Sequence, residues 1–115
     1  MLFSISKKQL PTRLIKASDN GVENRGILSN KRLVHNILPD SDPTANSLLV
    51  VEVFTESGNW SSYPPHKHDR DNLPEESFFL EESYYHEMNP PQGFVFQRVY
   101  TDDRSIDETM TVEKG

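Results

Sequence analysis

The residues that most limit the fold of this chain are its breakers. Eight prolines and five glycines are spread along it. Asn89-Pro90-Pro91-Gln92-Gly93, Pro64-Pro65, Pro39 and Pro43 each interrupt any regular element that reaches them, because proline lacks an N–H and restricts the residue before it. No room is left for a long helix. The runs between the breakers are short and β-like. Leu48 to Thr55 is the clearest strand, dominated by β-branched and apolar residues. A short strand is expected around Arg32 to Asn36. Further extended runs are expected at Trp60 to Tyr63, Phe78 to His86, Phe94 to Tyr100 and Ile106 to Val112, with Leu80-Glu81-Glu82 equally able to begin a helical turn. Glu56 to Asn59, Asn89 to Gly93 and Thr101 to Ser105 turn the chain between them. Many short strands joined by such turns predict an all-β antiparallel sandwich or small barrel. In the run from Phe94, the side chains of Phe94, Phe96, Arg98 and Tyr100 share one face. Trp60, Phe94 and Phe96 are expected in the core.

Composition excludes several functions. With 115 residues the chain is one domain at most. Its formal charge of −6 comes with no basic stripe, which argues against nucleic-acid binding. No run approaches the 18 apolar residues of a membrane span. The N-terminal apolar run is too short for a signal peptide and lacks a small-residue cleavage site. A cytoplasmic protein is therefore expected. There is no cysteine, which removes disulfides and thiolate ligands from consideration.

Chemistry concentrates in PPHKHDRDNLPEESFFLEESYYH, from Pro64 to His86. His66 and His68 stand two apart, so on an extended backbone both rings face one way and Lys67 faces the other. Two imidazoles can share an ion of intermediate softness, such as Zn, Mn or Fe. A third protein ligand is needed, and Asp69, Asp71, Glu75, Glu76, Glu81 and Glu82 are at hand. If residues 80–86 are extended, Glu82, Tyr84 and His86 share a face, which favours Glu82. An HxH pair in an acid-rich chain also occurs on plain polar surfaces. Arg98, in an aromatic strand face, calls for an anion: a substrate carboxylate, or an internal acid such as Asp102 or Glu108. The Asp102-Asp103 and Asp107-Glu108 pairs otherwise read as solvated turns, and His35 is given no role.

The strings SGNWSSYPPHKHD, LPEES and LEESYYHEMNPPQGFVFQRVYTDD closely resemble the 5-deoxy-glucuronate isomerase family of myo-inositol breakdown. RGILSNKR and LLVVEVFTESG resemble the approach to the same site, so the likeness is read over Arg25 to Gly115. The resemblance implies a bicupin, with a metal in the second β-barrel (a double-stranded β-helix). It also implies that the family's final histidine ligand falls in a later strand, after Gly115. On that basis the chain is expected to be a partial member with an incomplete cupin barrel. Residues 1–24 would be a leader, extended or poorly ordered, 25–47 an interdomain linker with a short strand, and 48–115 part of the C-terminal cupin.

The family's ligands then map to His66, His68 and Glu82 around a divalent metal, Zn or Mn first and Fe next. The implied reaction is aldose–ketose isomerisation of 5-deoxy-D-glucuronate to 2-deoxy-5-keto-D-gluconate. Tyr84, His86 or a metal-bound water would serve the proton transfer, and Arg98 would take the sugar-acid carboxylate. The alternatives are a metal-binding cupin of another class, such as a dioxygenase, and a non-catalytic fragment that self-associates. A homo-oligomer is expected among the partners.

Overall fold

A computed structural model describes residues 9–75 and 79–115. The chain divides into two compact units, Met1–His66 and Lys67–Gly115. Every regular element described in them is a strand or a single 3-10 turn. No described helix is long and apolar enough to cross a membrane.

The first unit is built on a three-stranded antiparallel sheet in chain order. Its strands are β1 (Gly21–Arg25), β2 (Arg32–Leu38) and β3 (Val50–Thr55). The central strand β2 alternates Arg32, Val34, Asn36 with Leu33, His35, Ile37, the period of a strand. Val34 lies opposite Glu23 on one side and Val53 on the other. At 2% exposure it is the one fully buried side chain among the described residues. Ile37 is the extra residue of a bulge, since Asn36 pairs with Val51 and Leu38 with Val50.

Polar side chains finish the pairing. Asn36 donates to Glu23 at 2.6 Å, and Arg25 pairs with Glu23 at 2.8 Å. The Arg25 bond first, and then that from Asn36, hold the Glu23 carboxyl below its usual range. His35 meets Glu52 at 3.0 Å and packs its ring on Phe54. The connection from β1 to β2 needs a glycine. Gly26 has φ +78°, and a Cβ there would lie 2.0 Å from the Asn30 carbonyl oxygen.

Among its described residues the second unit carries one hairpin, β4 (Val95–Tyr100) with β5 (Asp107–Val112). Its turn closes around Asp103. The carboxylate accepts from the Thr101 hydroxyl at 2.7 Å, the Ser105 hydroxyl at 2.8 Å and the Ser105 N–H at 3.1 Å. These bonds, the Thr101 one foremost, hold the Asp103 carboxyl down to about 2. Asp103 is thus a structural acceptor rather than a merely solvated acid.

Several expectations change. The strand around Arg32 extends to Leu38, and the strand from Leu48 begins at Val50. Within the stretch read as a leader, Gly21 to Asn24 lie in β1 and pair along β2. Trp60 to Tyr63 forms no strand, and neither do residues 79–88. Phe78, where that strand was to start, and the acid Glu76 lie outside the described residues, as do residues 1–8. The aromatics assigned to a core are exposed: Trp60 by 61%, Phe94 by 56% and Phe96 by 73%. Alternation places Phe94 and Phe96 on one face, where their rings meet at 5.4 Å between centroids.

Candidate metal centre

The segment that leads to His66 is docked by side chains rather than by a ladder. The Asn30 side-chain amide grips Tyr63 at both of its backbone groups: its Nδ2 donates to the carbonyl, and its Oδ1 accepts the N–H at 3.0 Å. Trp60 N–H donates to the Ser29 carbonyl at 2.7 Å, and Asn59 Nδ2 to the Lys31 carbonyl at 3.0 Å. Ser62 Oγ then lies 3.4 Å from His66 Nδ1.

His68 and Glu82 are tied by a second set of contacts. The His68 carbonyl accepts the Leu80 N–H at 3.1 Å, and Asp71 Oδ1 accepts the Phe79 N–H at 2.8 Å. Glu82 follows two residues after Leu80, and its Oε1 lies 3.5 Å from His68 Nε2. Its other oxygen accepts the Tyr84 hydroxyl at 2.9 Å. Burial, and then that bond to Glu82, push the Tyr84 hydroxyl well above the usual phenol range. The Tyr84 ring stacks on half-buried His86 at 6.0 Å between centroids.

His66, His68 and Glu82 each direct one donor atom so that all three lie within 4.8 Å of one another. Bonds of about 2.0–2.2 Å to imidazole and carboxylate put tetrahedral ligands about 3.4 Å apart, so the His68–Glu82 spacing fits and the set closes with small side-chain rotations. Two neutral nitrogen donors and one carboxylate suit a divalent transition metal and not calcium. The donor set therefore fits a metal, and three ligands leave positions for substrate or water.

The remaining expected residues fall elsewhere. Lys67 pairs with Asp102 at 2.7 Å and Asp69 at 3.7 Å. Of the candidate carboxylates among the described residues, only Glu82 joins the cluster. Arg98 is gripped by neither Asp102 nor Glu108 but by Asp107, through Nε and Nη2 at 2.7 Å each. It also sits over the Tyr100 ring, which Arg104 approaches to 3.9 Å. His86 is outside the three-residue cluster, with its carbonyl bonded to the Gly115 N–H. The roles of Asn30 and Asp71 were missed. Asn and Asp readily bond backbone, but their partners here are 33 and 8 residues away, beyond any local signal.

An all-β chain that gathers two imidazoles and a carboxylate in this way defines a metal-site protein of the cupin kind. The chain belongs to the KduI/IolB family, whose model matches residues 3–115. It is 82% identical to the 5-deoxy-glucuronate isomerase of Bacillus licheniformis over 115 residues, 100% of this chain and 42% of that protein. Identity is 81% with the Bacillus subtilis (strain 168) protein of the same name, covering 97% of this chain and 41% of that one. With that of Listeria monocytogenes serotype 4b it is 71%, covering 98% and 41%. Among solved structures, an IolB-like protein from Salmonella typhimurium superposes with a TM-score of 0.85 at 60% identity, over 93% of this chain and 40% of that one. The chain spans about two fifths of the length of the curated relatives it matches.

These matches correct two expectations. The likeness does not begin at Arg25, because residues up to Asn24 are family sequence as much as the rest. The expected partial resemblance also gives way, since relatives match this chain along 100% of its residues. The all-β cupin-like class stands.

Proposed function

We propose that this chain serves metal-dependent aldose–ketose isomerisation, converting 5-deoxy-D-glucuronate to 2-deoxy-5-keto-D-gluconate in the cytoplasm. The observation that carries this is the convergence of His66, His68 and Glu82 in a chain 82% identical to a protein named for that isomerisation. These three residues would hold the ion, Zn or Mn before Fe. When bound, the metal supplies an electrophile that polarises the C1 and C2 oxygens of the sugar acid and so acidifies the C2–H.

The rest of the chemistry falls to side chains. Isomerisation moves one proton from C2 to C1, and one from the O2 hydroxyl to O1, through an enediol-type species, and the carbon-bound proton needs a group that can accept and return it. His86 suits this proton transfer, because its imidazole is half-buried against Tyr84 and is not among the three ligands. Tyr84 has its proton directed at Glu82 and serves better as the residue that orients the carboxylate. For the uronate carboxylate we retain Arg98. Its fork already grips Asp107 in the two-bonded geometry that a substrate carboxylate would use in exchange.

The test is turnover. The metal-loaded 115-residue chain is incubated with 5-deoxy-D-glucuronate in deuterated water under anaerobic conditions and followed by proton NMR. Ketose formation without oxygen, lost on chelation, supports the proposal. Metal binding with no turnover would refute the catalytic role, and turnover only with oxygen would point to a dioxygenase-type cupin.

A further inference from the structure

Asp71 is one of the acids beside the histidine pair, yet it is not in the cluster. Its carboxylate instead accepts the Phe79 N–H at 2.8 Å. One position on, the Leu80 N–H donates to the His68 carbonyl at 3.1 Å. Two successive amides of the segment that carries Glu82 are thus bonded back to the segment that carries His68. Strand pairing does not hold them, because among the described residues neither segment is part of a sheet.

We infer that Asp71 is a positioning residue for the metal centre: by holding the Phe79 amide it sets where Glu82 meets His68. The inference rests on the metal-site assignment proposed above. Its chemical content is specific. A positioning Asp71 needs only a side-chain oxygen that accepts one N–H, which the carbonyl of asparagine also offers. A ligand Asp71 would need its charge. The exposed acid is a replaceable acceptor rather than a donor to the ion.

The test measures Mn²⁺ and Zn²⁺ affinity by calorimetry for wild type, Asp71→Ala and Asp71→Asn, with amide hydrogen exchange of Phe79 recorded by NMR without metal. Loss of one ordinary hydrogen bond corresponds to at most roughly a tenfold change. The expected result is up to about tenfold weaker binding in Asp71→Ala, faster Phe79 exchange in that variant, and near wild-type values for both in Asp71→Asn. Equal affinity in wild type and Asp71→Ala would overturn the inference while leaving the metal site intact. Equal weakening in both variants, with Phe79 still protected in Asp71→Asn, would make Asp71 a ligand instead and also overturn it. No binding by wild type would remove the metal-site assignment and this inference with it. Loss of the β4–β5 amide dispersion in Asp71→Ala alone would reveal general unfolding, and the Asp71→Asn result would then decide: affinity retained supports the positioning role, affinity lost overturns it.

Discussion

The β1–β2–β3 sheet and the segment from Pro64 to Met88 hold their backbones by opposite means. In the sheet, backbone pairs with backbone in an unbroken register save for one bulge. Between Pro64 and Met88 there is no regular element among the described residues, and side chains such as Asp71 supply the anchoring. The donor atoms of His66, His68 and Glu82 lie within 4.8 Å of one another, and in this segment bonds outside any ladder, from Phe79 N–H to Asp71 and from Leu80 N–H to the His68 carbonyl, tie the ligand-bearing stretches together.

The contrast between the two regions breaks most sharply at the ligands. Glu82→Ala leaves two imidazoles and no charge to offset the ion. Its metal affinity is expected to fall by more than the roughly 10–100-fold typical of outer contacts, with the first unit's stability unchanged. Calorimetric titration with Zn²⁺ measures the first effect, and urea unfolding followed by Trp60 fluorescence the second. Trp60 is the only tryptophan and lies in the first unit. A fall in both would mean that the site and the sheet are not separable.

In the sheet the largest effect is expected at Gly26. Ala there would be strained at φ +78° and would place its Cβ 2.0 Å from a backbone oxygen. A loss of about 1–3 kcal/mol is expected from the backbone strain alone, read from the same urea curve. Val34→Ala comes next. It removes two buried methyl-sized groups from the one fully buried position among the described residues, a loss of about 2 kcal/mol. If either variant unfolds at the wild-type midpoint, the sheet does not hold the first unit together.

The smallest effect concerns acid. Asp103 titrates at about 2 in the folded turn, below the roughly 3.9 of an unfolded aspartate. Its stabilisation of the hairpin is therefore fully present above about pH 4 and fades as pH falls through 2. Proton NMR of the Ser105 amide should show protection at pH 4 that declines toward pH 2. In Asp103→Asn the protection should be flat over that range.

Strands were legible in the sequence where chemistry and period agreed. Leu48 to Phe54 and Phe94 to Tyr100 are rich in β-branched, aromatic or other apolar residues, and they and the run around Val34 each became a strand within a residue or two of its expected bounds. The same reasoning misled at Trp60 to Tyr63 and beyond Phe79, where apolar content was present but partners in a ladder were not. The exposed aromatic face of β4 shows the limit of periodicity: alternation tells which side chains share a face, not whether anything covers it. Within the site, the His66–His68 spacing and the abundance of nearby acids were visible. That Arg98 would choose Asp107 was not, because the choice is made across a hairpin whose register only the fold supplies.

The most direct measurement is the metal content of the purified 115-residue chain by elemental mass spectrometry, beside a His66→Ala, His68→Ala double variant. Near-stoichiometric transition metal is expected in the wild type and none in the double variant, with both showing the same hairpin amide signals. Metal retained by the double variant, or absent from a folded wild type offered Zn²⁺ and Mn²⁺, would contradict the metal-centre assignment.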